Sequence, residues 1–292
     1  MTTLTLHSPP RSAPVTTTSL WFATPLAGFF LLFFAAPLLM LVLIALYNDT
    51  SLGSMGAAQF VRVASDDFTL PVLADTLWLG VQVTALCLLL GYALAWTHVR
   101  SPAWLQQLLM LLIVMPLLTS VVVRTFAWVV ILGRQGIVNT ALVDLGWIEG
   151  PLKLLYTRGG LVVALANVQL PLMVLPLITA LQKLDPNLEQ ASAALGASAW
   201  RTFGLITLPL SLPGIVAGAL LTFAASVTAF ISQSLIGGGQ MLFMPMYIYQ
   251  QASSLQNWPF AAALSLVFLV AVLGCVSVLN LLGRASRGRA TT

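Results

Sequence analysis

The side chains in this sequence that could make or break bonds are few, and their spacing assembles no reaction centre. His7 stands in a polar tail and His98 at the edge of an apolar run, with no partner at a metal-ligand interval, so no metal site is expected. Cys87 and Cys275 each lie inside apolar runs, where a thiol behaves as a small buried hydrophobe. The only lysines are Lys153 and Lys183, and neither follows a glycine-rich turn that could cradle phosphates. No nucleotide-hydrolysing chemistry and no bound cofactor are therefore expected of this chain. What remains is hydrogen-bonding chemistry in apolar surroundings, at Arg124, Asn167, Gln169, Thr222, Ser226, Ser232 and Gln233.

Those surroundings are more apolar than a soluble domain tolerates. The 292 residues are 59% hydrophobic and only 7% charged, with a mean hydropathy of +0.97, whereas soluble domains carry about 25% charged residues. An all-α polytopic membrane protein follows, with the bilayer as its main surroundings. The net charge of +4 then points to no nucleic acid; what matters is where Lys and Arg lie relative to the spans.

Residues 1–19, rich in Thr, Ser and Pro, read as a disordered cytoplasmic tail, and 20–283 as the transmembrane domain. The charge-free run Leu20–Tyr47 is too long for a cleavable signal peptide and reads as a retained first span. Further spans are expected at Val72–Thr97, at Leu105–Leu132 (interrupted by Pro116 and Arg124) and at Gly159–Gln182. No charge occurs from Thr202 to Gly283, far more than the roughly 20 residues of one crossing, so that stretch must hold two. The breakers at Gly237–Gly239, Pro245 and 253–259 divide it into spans at about Pro213–Ser234 and Pro259–Leu282. Residues 284–292 form a basic tail. Six crossings put both termini on one side. Arg11, Arg100, Lys183, Arg201, Arg284, Arg287 and Arg289 would share that side, against Arg62, Arg134, Lys153 and Arg158 opposite, which makes it the cytoplasmic one.

The polar residues in the spans have competing readings. Gly214, Gly218, Thr222 and Ser226 recur at four-residue intervals, a stripe that lets helices approach closely, and packing is the expected role of its glycines. Thr222 and Ser226 remain candidates for lining a solute pathway, with Ser232 and Gln233 near the outer end better placed. A central Arg124 costs about 2.5–3.5 kcal/mol to insert, so it should face protein or water, as a gate or as a paired structural residue. Asn167 and Gln169 are two apart and point different ways, so at most one faces a pathway. Asp75 and Thr76 are expected to cap the second span at the outer surface.

One segment between spans four and five, 183–209, is too polar to cross lipid and too regular for a loop. Asp185 can cap a helix with Pro186 at its first position, and Glu189 in the first turn faces the positive end of the helix dipole. Leu188, Ala191 or Ser192, and Leu195 fall on one face. Gly196 interrupts the helix, Ser198 can cap a second short one, and Trp200 is a candidate anchor before Ile206, Leu208 and Pro209 resume the apolar phase.

This segment resembles the signature of binding-protein-dependent ABC importer permeases: Glu-Ala-Ala, three residues, Gly, nine residues, Ile, one residue, Leu-Pro. Here it reads Gln190-Ala191-Ser192, Gly196, Ile206, Leu208 and Pro209, with every spacing kept. The departures are Gln190 for Glu and Ser192 for the second Ala; whether Glu189 compensates stays open. GYALAW, MPLLTSVVVRTFAWVVILGRQGIVN, LPLSLPGIVAG and LIGGG extend the resemblance to the spermidine/putrescine-type subfamily beyond residue 20.

The resemblance implies a type I ABC importer permease fold of about six spans, in a bacterial inner membrane. It implies a second permease subunit, two ATPase subunits carrying ATP and Mg, and a periplasmic solute-binding protein. Leu188, Glu189, Gln190, Ala191, Ser192, Leu195, Gly196, Trp200, Ile206, Leu208 and Pro209 become coupling-helix residues that receive the ATPase stroke. The implied cargo is a small solute such as spermidine or putrescine, with another amine, an amino-acid derivative, iron or an oxyanion as alternatives. An ATP-independent transporter or channel should show carboxylates within its spans or inverted repeats, and neither is evident. A scaffold would tolerate any connector between spans four and five.

Overall fold

A backbone that crosses lipid must satisfy its own hydrogen bonds, and helices do so locally. The computed structural model describes residues 17–51 and 53–290, and among these the only β pairing is an isolated bridge between Tyr47 and Met55. The expected tail lies, up to residue 16, outside the described residues. Helix α1 (Thr17–Phe30) starts inside its predicted end and continues through a wide π-turn (Leu31–Ala35) into α2 (Ala36–Ala45). Then come α3 (Ala58–Ser65), α4 (Thr69–Arg100), α5 (Ala103–Leu118), α6 (Val121–Leu132) and α7 (Ile137–Asp144). Next follow α8 (Arg158–Gln182), α9 (Pro186–Ala194) and α10 (Ala199–Thr202), which a second π-turn (Phe203–Thr207) joins to α11 (Leu208–Val227). After α12 (Phe230–Gly237) and α13 (Met244–Tyr249), a third π-turn (Gln250–Ser254) precedes α14 (Trp258–Ala290).

Among the described residues six helical stretches are long and apolar enough to cross a membrane: Thr24–Ala45, Thr69–Arg100, Val121–Asp144, Arg158–Gln182, Ala199–Val227 and Trp258–Leu281. The number agrees with the sequence reading; several boundaries do not. The predicted third span, Leu105–Leu132, is not one helix: the chain breaks at Thr119–Ser120, just after Pro116, into α5 and α6, and the long apolar stretch Val121–Asp144 runs through α6 and α7 instead. The fifth starts earlier than Pro213 and stops at Val227, because α10 runs through its π-turn into α11 without leaving helical geometry. Beyond the break at Thr228–Ala229, α12 is a separate short helix. At the C-terminus α14 carries helical backbone past Gly283 to Ala290, through most of the predicted basic tail.

The second span also starts earlier than predicted. Asp66, not Asp75, closes its N-terminus: its carboxylate accepts from the Phe68 amide at 3.3 Å and from the Thr69 hydroxyl at 2.5 Å. The Thr69 hydroxyl, chiefly, holds the Asp66 carboxyl below its ordinary range. Asp75 lies within the helix and pairs with Arg158 at 2.9 Å, while the Thr76 hydroxyl, bonded to Val72 O, accepts from the Met244 amide.

The core is built on α8, whose Leu161, Ala164, Leu165, Met173, Val174 and Leu177 are buried against α4 and α11. The small-residue stripe does what close packing requires. A β-carbon at Gly214 would sit 2.7 Å from Pro176 O, and one at Gly218 2.9 Å from Met173 O, so α11 lies backbone against backbone on α8. A second cluster joins Phe223 and Val227 of α11 to Phe260, Ala263 and Leu264 of α14.

Candidate functional site

The segment between α8 and α11 folds as a pinned lever. Asp185 accepts from the Asn187 amide at 2.9 Å and Pro186 opens α9, as the sequence predicts. At its far end Gly196 takes φ +80°, with its amide bonded to Ala193 O and the Ala197 amide to Ser192 O. That paired geometry is a helix stop that strongly favours glycine. Ser198 caps α10 through the Arg201 amide, and a Ser192–Thr202 hydroxyl contact of 2.8 Å joins the two short helices. The open choice on the α9 face is resolved: Ser192 is buried toward the chain, whereas Leu188, Ala191 and Leu195 are exposed with Gln190 and Gly196. Leu195 is 89% and Trp200 84% exposed, a poor arrangement for an apolar pair unless something covers it. Ile206 and Pro209 are half-buried and Leu208 exposed along the connection to α11.

The inner side of the lever is held by charge and rings. Arg100, at the end of α4, donates to both Glu189 carboxylate oxygens at 2.7 and 2.5 Å, and the Thr207 hydroxyl donates to Glu189 Oε1 at 3.3 Å. The Arg100 guanidinium lies 3.5 Å above the centre of the Trp96 ring. Phe203 meets Trp96, Tyr92 and Trp200 edge-on, at 5.3, 5.6 and 6.2 Å between centroids. One carboxylate thus ties α9 to α4 and to the π-turn leading into α11. Beside it a groove of about 690 Å³ runs between α4 and α10–α11, walled by Leu88, Tyr92, Trp96, Trp200, Phe203 and Ile215.

Arg100, Trp96, Phe203 and Thr207 carry this joint, and none of them stood out in the sequence. The ion pair spans 89 residues, beyond any local pattern; its one trace in the sequence is that Arg100 and the segment carrying Glu189 fall on the same side of the predicted spans.

The polar residues of the spans do not assemble into one site. Thr222 and Ser226 are buried in α11, with the Ser226 hydroxyl bonded back to Thr222 O. Gln169 is buried and donates to Ala225 O, whereas Asn167 is exposed and accepts from the Trp128 indole, so the two do diverge. Ser232 and Gln233 are not at the end of the fifth span. They are buried in α12, where Ser232 meets the Thr125 hydroxyl at 2.9 Å and Gln233 donates to Ser226 O and Val227 O, closing the helix break. Arg124 sits in the first turn of α6, partly buried, with Nε and Nη1 enclosed and unpartnered. Among the described residues no group of three or more His, Cys, Asp or Glu side chains is placed to hold a metal.

Residues 87–289 match the profile of the family described as binding-protein-dependent transport system inner membrane component. Over 271 residues the chain is 33% identical to the spermidine/putrescine transport system permease protein PotB of Escherichia coli strain K12, covering 90% of this chain and 95% of that protein. It is 30% identical over 263 residues to the putative 2-aminoethylphosphonate transport system permease protein PhnU of Salmonella paratyphi A, covering 90% of each. Among solved structures, a bacterial ABC transporter involved in import of the acidic polysaccharide alginate superposes with a TM-score of 0.76 at 19% identity, over 91% of this chain and 96% of that one. The same kind of transporter in complex with an alginate pentasaccharide-bound periplasmic protein gives 0.77 at 18% identity, over 92% and 95%. At such identities the agreement is one of fold.

Proposed function

The chain belongs to the family of binding-protein-dependent transport system inner membrane components, and from that premise we propose that α9 and α10 couple an external ATPase to the import of a small aliphatic amine. As a permease component of an ABC importer it holds the solute's route across the membrane. ATP and Mg belong to two separate ATPase subunits, a second permease completes the route, and a periplasmic binding protein delivers the solute. The α9 end of the bundle, with Arg100, Lys183 and Arg201, is the cytoplasmic one, as the positive-inside rule favours.

The observation that carries the coupling role is the lever's two-sidedness. Its outer face offers Leu188, Leu195 and Trp200 to a partner, while its inner face is fastened to α4 and to the start of α11. A push received outside is therefore delivered to two membrane helices together, as rigid-body transmission requires. A Gly196→Trp variant tests this. It should insert normally, since a β-carbon placed there would meet nothing within 4 Å, yet uncouple ATP hydrolysis from uptake. Unchanged ATPase recruitment and transport in that variant would remove the assignment.

The amine cargo is supported by the solutes named for the relatives: spermidine, putrescine and 2-aminoethylphosphonate all carry a primary amine. Calorimetry on the associated solute-binding protein decides it, with putrescine, spermidine and 2-aminoethylphosphonate as ligands. Failure of all three to bind contradicts the cargo assignment while leaving the coupling role standing.

A further inference from the structure

Arg124 stands in the first turn of α6, a helix with no other charged residue. It lies two turns of α6 below Leu132, or about 12 Å of helix rise. Leu132 O accepts the Leu155 amide and so marks the end of the bundle away from α9. One turn after Arg124, Trp128 bonds to Asn167 in the middle of α8, which confirms the depth. Nε and Nη1 of Arg124 are buried with no acceptor in reach. The sequence has eight carboxylates, at Asp49, Asp66, Asp67, Asp75, Asp144, Glu149, Asp185 and Glu189. None shares that depth: Asp75 is bound to Arg158 at the start of α8 and Glu189 to Arg100 at the opposite end. This chain thus supplies a partly buried cation, two of its nitrogens enclosed, and no counter-charge for it.

The surface around Arg124 faces away from the chain's own core. Val121, Val122, Val123 and Phe126 are exposed, and only Thr125 turns inward, to Ser232. An uncompensated guanidinium at this depth is costly, and burial against a partner removes it from water further unless an anion comes with the partner. It would also oppose the passage of an ammonium cargo. Both difficulties vanish if the missing charge arrives across a subunit interface. We propose that Arg124 is half of an inter-subunit ion pair whose carboxylate is supplied by an Asp or Glu in a span of the second permease subunit. The pair neutralises the mid-membrane charge and fixes the register of α6 against that subunit. The inference rests on the two-permease reading above.

The test uses the whole importer, with this chain quantified in membranes by immunoblot. Arg124→Glu should reduce uptake by roughly tenfold or more and weaken copurification of the second permease, whereas Arg124→Lys should keep most of both. Each Asp or Glu within the second permease's spans is then changed to Lys in the Arg124→Glu background. Recovery of uptake at one position, which is itself damaging against wild-type Arg124, supports the pair. If Arg124→Glu fails to insert, Arg124→Gln combined with the Asn or Gln replacements serves instead, and the pair requires strongly non-additive losses at one position. Rescue or coupling at no position overturns the proposal while leaving the assembly intact. Wild-type protein that copurifies no second permease overturns the two-permease reading itself, and this proposal with it.

Discussion

Gly196 and Gly218 are both glycine, for different physical reasons, and substitution should separate them. Gly196 has open space around it but a φ of +80°, so Gly196→Ala strains only the backbone, at about 1–2 kcal/mol. Gly218 has ordinary helical geometry but no room, since a β-carbon would press on Met173 O at 2.9 Å and Sδ at 2.8 Å. Gly218→Leu should therefore part α11 from α8 and lower the thermal midpoint of the detergent-solubilised protein by far more than Gly196→Ala. Uptake should track folded protein in the first variant but not in the second. The Arg100–Glu189 pair makes another prediction. Its side chains are 46% and 40% exposed, so its contribution to stability is small, about 0.2–1 kcal/mol. Its contribution to transmission should be larger: Arg100→Glu or Glu189→Arg alone should raise ATP consumed per solute imported, and the double exchange should restore it. Four-residue spacing made the glycine stripe legible in the sequence. The ion pair was not legible, because nothing local relates residues 89 apart.

Helix ends are legible in the sequence where the punctuation is chemical and hidden where it depends on neighbours. Asp185, Pro186, Gly196 and Ser198 announce α9 and α10 through the backbone groups they satisfy, and the structure uses each as expected. The break between α5 and α6 had only Pro116 to signal it, and an apolar run on both sides hides a change of helix axis. Likewise α12 continues the apolar run of the fifth span without a break in composition. Its separation at Thr228–Ala229 shows only once Gln233 is seen bonding the Ser226 and Val227 carbonyls left free there. The aromatic joint is an element-scale feature, since Phe203 wedges the π-turn against Trp96 and Tyr92 of α4. Phe203→Ala should leave six-span insertion intact, as protease protection would show, while reducing uptake more than ATPase activity. Equal losses of both would place Phe203 in packing alone.

For the whole molecule, composition was decisive: so few charges require lipid, and the six apolar helices follow. Boundaries and partners are less visible, because a subunit's outer surface is written partly for another chain. Helices α1 and α2 and the π-turn between them show this, with Leu26, Phe29, Phe33, Leu39 and Leu43 exposed, a surface that suits lipid and a second subunit equally. Orientation can be checked with single cysteines in a background lacking Cys87 and Cys275. A thiol at Glu149 should react with an impermeant maleimide added outside, and one at Gln190 only after the membrane is opened.

Whether an external motor acts on the chain through α9 and α10 is tested most directly by cysteine cross-linking of the assembled importer at Leu195, the most exposed apolar residue of the lever. Leu195→Cys should form an adduct with the ATPase subunit whose yield changes between nucleotide-free and ATP-bound states. A Leu195 thiol that meets no ATPase in either state, while the importer still moves solute, would contradict a motor acting there.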